Sequence, residues 1–62
     1  MPMIQVNCPR TDKEKKRELV RKLTETASEI LGIPEPAFTV VIYENDPDNV
    51  GVGGKLLSEG IK

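Results

Sequence analysis

The residue with the clearest chemical potential stands second. Pro2 follows Met1 and runs directly into the β-capable segment Met3-Ile4-Gln5-Val6-Asn7-Cys8. With Met1 removed, Pro2 would present a secondary amine in a rigid ring, with a reference pKa of about 7.7 to 8.0. A partly dry setting or a neighbouring cation penalises the ammonium form, so a terminal Pro2 in such a setting is a general base at neutral pH. The chain has no histidine to take that part. The plainer alternative is a proline that only starts a strand, where its missing N–H costs little.

Other reactive side chains read more simply. Cys8, the single cysteine, alternates onto the same face as Ile4 and Val6 and behaves as a small buried hydrophobe. It has no partner for an intrachain disulfide, and without histidine or a cysteine cluster no structural zinc site is expected. The Lys13, Lys15 and Lys16 run forms a solvated helix face, with Lys16 or Arg17 able to border a cleft near Pro2. Glu44 is read as pairing with a base or capping a loop.

The elements that must position these groups follow from patterning. Ile4, Val6 and Cys8 alternate with Met3, Gln5 and Asn7, as in a strand with one buried face, and Pro9 stops it. Thr11 with Glu14 fits a capping box, so a helix is expected to begin near Asp12. Leu19, Val20, Leu23, Ala27, Ile30 and Leu31 make one apolar stripe, and Gly32 with Pro34 and Pro36 ends the helix close to Leu31. Phe38 to Tyr43 reads as a second strand, apolar on both faces except at Thr39. Asn45 to Asn49 is a turn-rich loop. Gly51-Val52-Gly53-Gly54, with three glycines in four positions, is expected to form a hairpin or bulge of unusual backbone. It fails as a phosphate loop because Leu56 follows Lys55 where serine or threonine is needed, and Leu56 also excludes the dinucleotide fingerprint. Ser58 to Lys62 is expected to fray.

Two strands joined by a helix make a single βαβ domain of the α+β class spanning residues 1–62, with parallel strands and a right-handed crossover. A chain of 62 residues buries only about 60% of its unfolded surface, so self-association is the expected source of further stability. The bare face of a two-stranded sheet points the same way. Nine basic and ten acidic residues, a net charge of −1 and a pI near 5.3 argue against a nucleic-acid surface. Phe38 and Tyr43 are the only aromatics, too few for a base-stacking platform. No apolar run approaches a membrane span and no signal peptide is visible, so a cytoplasmic protein is expected.

Pro2, Ile4-Gln5-Val6 behind it, the capped helix, Val40-Val41-Ile42 followed by Glu44, and Gly51-Val52-Gly53-Gly54 together resemble the 4-oxalocrotonate tautomerase family. The likeness spans nearly the whole chain. It implies hexamers built as trimers of dimers, with the glycine hairpin packed on a neighbour. It also implies an isomerase that uses no cofactor or metal. In such an enzyme Pro2 would move a proton between carbon and oxygen of a small enolisable 2-oxo acid resembling 2-hydroxymuconate. The resemblance places Arg10 near the first of two family arginines that hold the substrate. Thr39 stands at the second arginine position, and Val50 where the family carries an aromatic ring that dries the site. These departures weaken the case for a diacid substrate, because a bidentate arginine is the natural carboxylate clamp. The alternatives are a hydratase or dehalogenase relative acting on unsaturated acids, and an oligomer of this fold without efficient catalysis.

Overall fold

A computed structural model of the chain describes residues 1–60. Strand β1 (Met3–Cys8) leads into helix α1 (Lys13–Leu31), a short 3-10 turn at Glu35–Ala37, and strand β2 (Thr39–Glu44). The strands are parallel, with Met3 opposite Thr39 and Cys8 opposite Glu44. β2 thus lies one residue later than Phe38 to Tyr43, because the 3-10 turn ends on Phe38, whose N–H is taken by the Glu35 carbonyl. A second 3-10 turn at Pro47–Asn49 precedes a hairpin of β3 (Gly51–Val52) and β4 (Lys55–Leu56), and Leu57–Gly60 forms a single helical turn, α2. The fraying expected from Ser58 to Lys62 falls partly on residues 61–62, outside the described residues.

Exposure alternates along β1, with Ile4, Val6 and Cys8 half-buried and Met3, Gln5 and Asn7 exposed. The register puts Val40 beside Ile4 and Ile42 beside Val6 on the face that α1 covers. Leu19, Val20, Leu23 and Ala27 of α1 are half-buried as the stripe requires, but Ile30 is 75% and Leu31 57% exposed. The reason is length. At 1.5 Å per residue the helix runs about 28 Å, whereas the strands run about 20 Å, so its last turn overshoots the sheet.

The helix start also differs from the capping box. The N-cap is Asp12, whose carboxylate accepts the Lys15 N–H at 2.8 Å. A carboxylate both caps and complements the positive helix end, so it prevails over the neighbouring hydroxyl. Glu14 turns instead to Arg17 at 2.7 Å. At the far end Gly32 takes φ 69° and donates its N–H to the Ser28 carbonyl, closing the helix as expected. In the hairpin only Gly53 and Gly54 have positive φ, 62° and 85°. They form the two-residue loop whose twist matches paired strands. Gly51 does not share that demand, since a Cβ there would meet only the Lys55 carbonyl at an ordinary 3.6 Å.

Among the described residues none is fully buried. The radius of gyration is 15.0 Å, against roughly 11 Å for a compact domain of this length. One face of the sheet, carrying Met3, Gln5, Asn7, Thr39, Val41 and Tyr43, is left without a helix, and Met3 and Tyr43 are 59% and 45% exposed. The hairpin forms a sheet of its own, and its main neighbours are the Pro47–Asn49 turn and α2. β2 is read from sequence as covered on both sides. Within one chain it is an edge strand with a half-covered face.

Candidate functional site

The proposed site residues fall at opposite ends of the sheet. Pro2 sits half-buried at the entry of β1 behind an exposed Met1, and its carbonyl accepts the Thr39 N–H at 3.2 Å. That bond holds Pro2 at the amino end of the sheet, beside the first residue of β2. Thr39 shares the open face with Met3.

Arg10 and Val50 lie at the other end. Arg10 follows the last residue of β1, and its guanidinium reaches the Asp46 carboxylate at 3.5 Å with its side chain 78% exposed. Val50 is half-buried, and its carbonyl accepts the Leu57 N–H at 2.7 Å, tying the base of the hairpin. Eight residues of extended chain separate Pro2 from Arg10, roughly 25 Å at the rise of a strand. No single copy can bring Pro2 and Arg10 to one small molecule.

The carboxyl end holds a network that the sequence reading left open. Glu44, the last residue of β2, receives the Lys16 ammonium at 2.9 Å and the Thr11 N–H at 3.0 Å on the same carboxylate oxygen. The Lys16 hydrogen bond, followed by the Thr11 N–H, holds the Glu44 carboxyl below its ordinary pKa. Asn45 donates its N–H to the Cys8 carbonyl at 2.9 Å. Together these bonds fasten the segment carrying Arg10 to the end of β2. Glu44 therefore both pairs with a base and caps the loop, and Lys16 lies here, at the end of the sheet away from its own Pro2. Only the place of Glu44 directly after the apolar run Phe38 to Tyr43 hinted at this, since the contact spans 33 residues between Thr11 and Glu44.

Charge divides along the same axis. α1 begins with Lys13, Lys15, Lys16 and Arg17 and has no basic residue in its last turn. Lysines beside a helix N-terminus oppose the macrodipole, but the Asp12 N-cap and Glu14 offset them, and Lys16 and Arg17 are paired with Glu44 and Glu14. A shallow groove elsewhere, lined by Glu25, Thr26, Ser28, Glu29 and Glu35, contains none of the proposed residues, and its carboxylates suit it poorly to an organic acid. Among the described residues no group of histidine, cysteine or carboxylate side chains has the arrangement of a metal site, and no helix is long and apolar enough to cross a membrane.

Known proteins resemble this chain in both sequence and architecture. The model of the tautomerase enzyme family matches residues 2–60. The 2-hydroxymuconate tautomerase of Bacillus subtilis (strain 168) is 46% identical over 50 residues, covering 81% of this chain and 79% of that protein. A solved 4-oxalocrotonate tautomerase homologue superposes with a TM-score of 0.86 at 41% identity, covering both chains completely. A heterohexameric 4-oxalocrotonate tautomerase from Chloroflexus aurantiacus J-10-fl superposes with a TM-score of 0.86 at 26% identity, over 98% of this chain and 100% of that one. The chain belongs to the tautomerase enzyme family and is a 4-oxalocrotonate tautomerase-like isomerase.

Proposed function

We propose that this tautomerase, once Met1 is removed, uses the Pro2 amine to convert the enol of a small 2-oxo acid to its keto form. The neutral amine takes the proton of the 2-hydroxyl as the C–O bond gains double-bond character, and the resulting ammonium delivers a proton to carbon. One O–H bond is lost and one C–H bond gained. No electrons leave the substrate, so the reaction calls for no cofactor. The observation that carries the reading is the position of Pro2. Its carbonyl is anchored to Thr39 while Met1, directly before its nitrogen, is 98% exposed, so removing Met1 leaves the amine at an uncovered sheet end.

The carboxylate binder is Arg10 of another copy, because the Arg10 of the same chain is too far away. Lys13 and Lys15 at the start of α1 add positive charge there, which favours the neutral amine and an anionic substrate alike. Val50, half-buried at the base of the hairpin, excludes water with less area than a ring would. The assembly that supplies the second copy is a homohexamer, a trimer of dimers, supported by the bare sheet face, the lack of a fully buried side chain among the described residues and the heterohexameric state of the Chloroflexus aurantiacus relative. The substrate class is a monocarboxylic enol in preference to a dicarboxylic dienol, since Thr39 leaves one cation fewer for a second carboxylate.

Ketonisation of phenylenolpyruvate, followed with protein whose intact mass proves loss of Met1, tests the proposal. Rapid turnover that disappears in material retaining Met1 is the expected result. Equal turnover by both forms contradicts a role for the Pro2 amine.

A further inference from the structure

Arg10 is not free in this chain. Its guanidinium faces Asp46 at 3.5 Å, and three features make that contact unusual. Asp46 is held by its own turn, with one carboxylate oxygen accepting the Asp48 N–H at 2.9 Å and its carbonyl accepting the Asn49 N–H at 2.7 Å. The other oxygen is thereby aimed at Arg10 and cannot follow it closely. The separation is long beside the 2.7–2.9 Å usual for a guanidinium on a carboxylate, and the Arg10 side chain remains 78% exposed. Glu44, another carboxylate at this end of the sheet, is already committed to Lys16 and Thr11.

We propose that Asp46 is an internal counter-ion of Arg10, which the substrate carboxylate displaces on binding. The inference rests on the reading of Arg10 as carboxylate binder. Because its turn holds Asp46 in place, Arg10 turns from it to the substrate carboxylate, and the unpaired Asp46 charge left nearby opposes binding. Asp46 keeps Arg10 extended near the sheet end when no substrate is present, and it lowers apparent affinity by competing. Asp46 is therefore a positioning residue that sets KM. It does not touch the reacting atoms and should leave kcat alone.

The test uses Asp46→Asn, which keeps an oxygen for the Asp48 N–H and removes the charge, with Asp46→Ser as a second neutral cap. A surface ion pair corresponds to roughly a two- to fivefold change in an equilibrium constant. Both variants should lower KM for phenylenolpyruvate by about that factor at constant kcat. Arg10→Ala should raise KM, and adding Asp46→Asn to it should have no further effect, since the two act as one unit. Unchanged or raised KM in both Asp46 variants, with KM still raised by Arg10→Ala, overturns the counter-ion alone. An Arg10→Ala protein with normal KM overturns the binder reading, and the counter-ion falls with it.

Discussion

The two ends of the β1–β2 sheet are built differently. At the amino end Pro2 has a backbone bond to Thr39, a half-buried ring and an exposed Met1 before it. At the carboxyl end Arg10, Lys16, Glu44 and Asp46 form a linked set of ion pairs, with Thr11 and Asn45 bonding across the strand ends. On the proposed function, the proton-transfer group and the anion-binding group are thus made separately, each where its local demands are met. An amine that must be neutral does well away from its own chain's carboxylates. A cationic loop needs carboxylates to hold it in place. In the proposed assembly, joining two copies would supply both at one site.

The largest effect should come from the amino end. Blocking the Pro2 nitrogen by a retained Met1 should cost the usual contribution of a positioned acid-base group, about 10²- to 10⁴-fold in kcat/KM. Pro2→Ala keeps a primary amine in place and should lose less. Equal losses in the two proteins would mean that Pro2 serves by shape and not as a base.

Thr39 offers the next largest effect, because it lies beside Pro2 and on the open face that another copy would meet. A charge-assisted contact is worth about 1.5 to 3 kcal/mol, so Thr39→Arg should raise the kcat/KM ratio of a dicarboxylate dienol to phenylenolpyruvate about ten- to a hundredfold. The variant must remain oligomeric by sedimentation. A constant ratio in an intact oligomer would place position 39 outside the site.

Stability should follow assembly, and this bears on whether either end acts alone. With no fully buried side chain among the described residues, the unfolding midpoint should rise with protein concentration. A folded monomer in sedimentation equilibrium, with a midpoint independent of concentration, would remove the second copy from the account.

A smaller effect belongs to Glu44. Its carboxyl is held below the ordinary carboxylate range by the Lys16 hydrogen bond first and the Thr11 N–H second. A depressed folded-state pKa contributes stability above the unfolded value, and that contribution is lost as pH falls through the folded one. Thermal unfolding of Glu44→Gln between pH 3 and 7 should show a lower midpoint at neutral pH that converges on the parent at the acid end. Parallel curves across that range would show that the carboxylate charge plays no part in fastening the Arg10 segment.

Much of this molecule was legible in its residues, for local reasons. Alternation in Met3–Cys8, the αL glycine at Gly32 and the paired glycines Gly53 and Gly54 are short-range signals, and each appears where its chemistry requires. The capping box failed because Asp12 is a better cap than Thr11, which Glu44 claims from 33 residues away. Ile30 and Leu31 match the helical period yet stay exposed, since periodicity fixes a face but not the length of sheet beneath it. Pro2 was legible as potential chemistry, and Arg10 only through the family resemblance. Their separation was not, because it follows from strand direction and from what a second copy brings, and neither is written in the spacing of one chain.

The central claim, that one site draws Pro2 and Arg10 from different copies, has a direct test. Pro2→Ala and Arg10→Ala chains are unfolded together in equal amounts, refolded into mixed oligomers, and assayed for kcat/KM on phenylenolpyruvate. If the two residues come from different copies, random mixing gives about a quarter of the sites both native residues, and activity should recover to about that fraction of the parent. If both belong to one chain, the mixture should show only the average of the two parent variants, and that result would contradict the composite site.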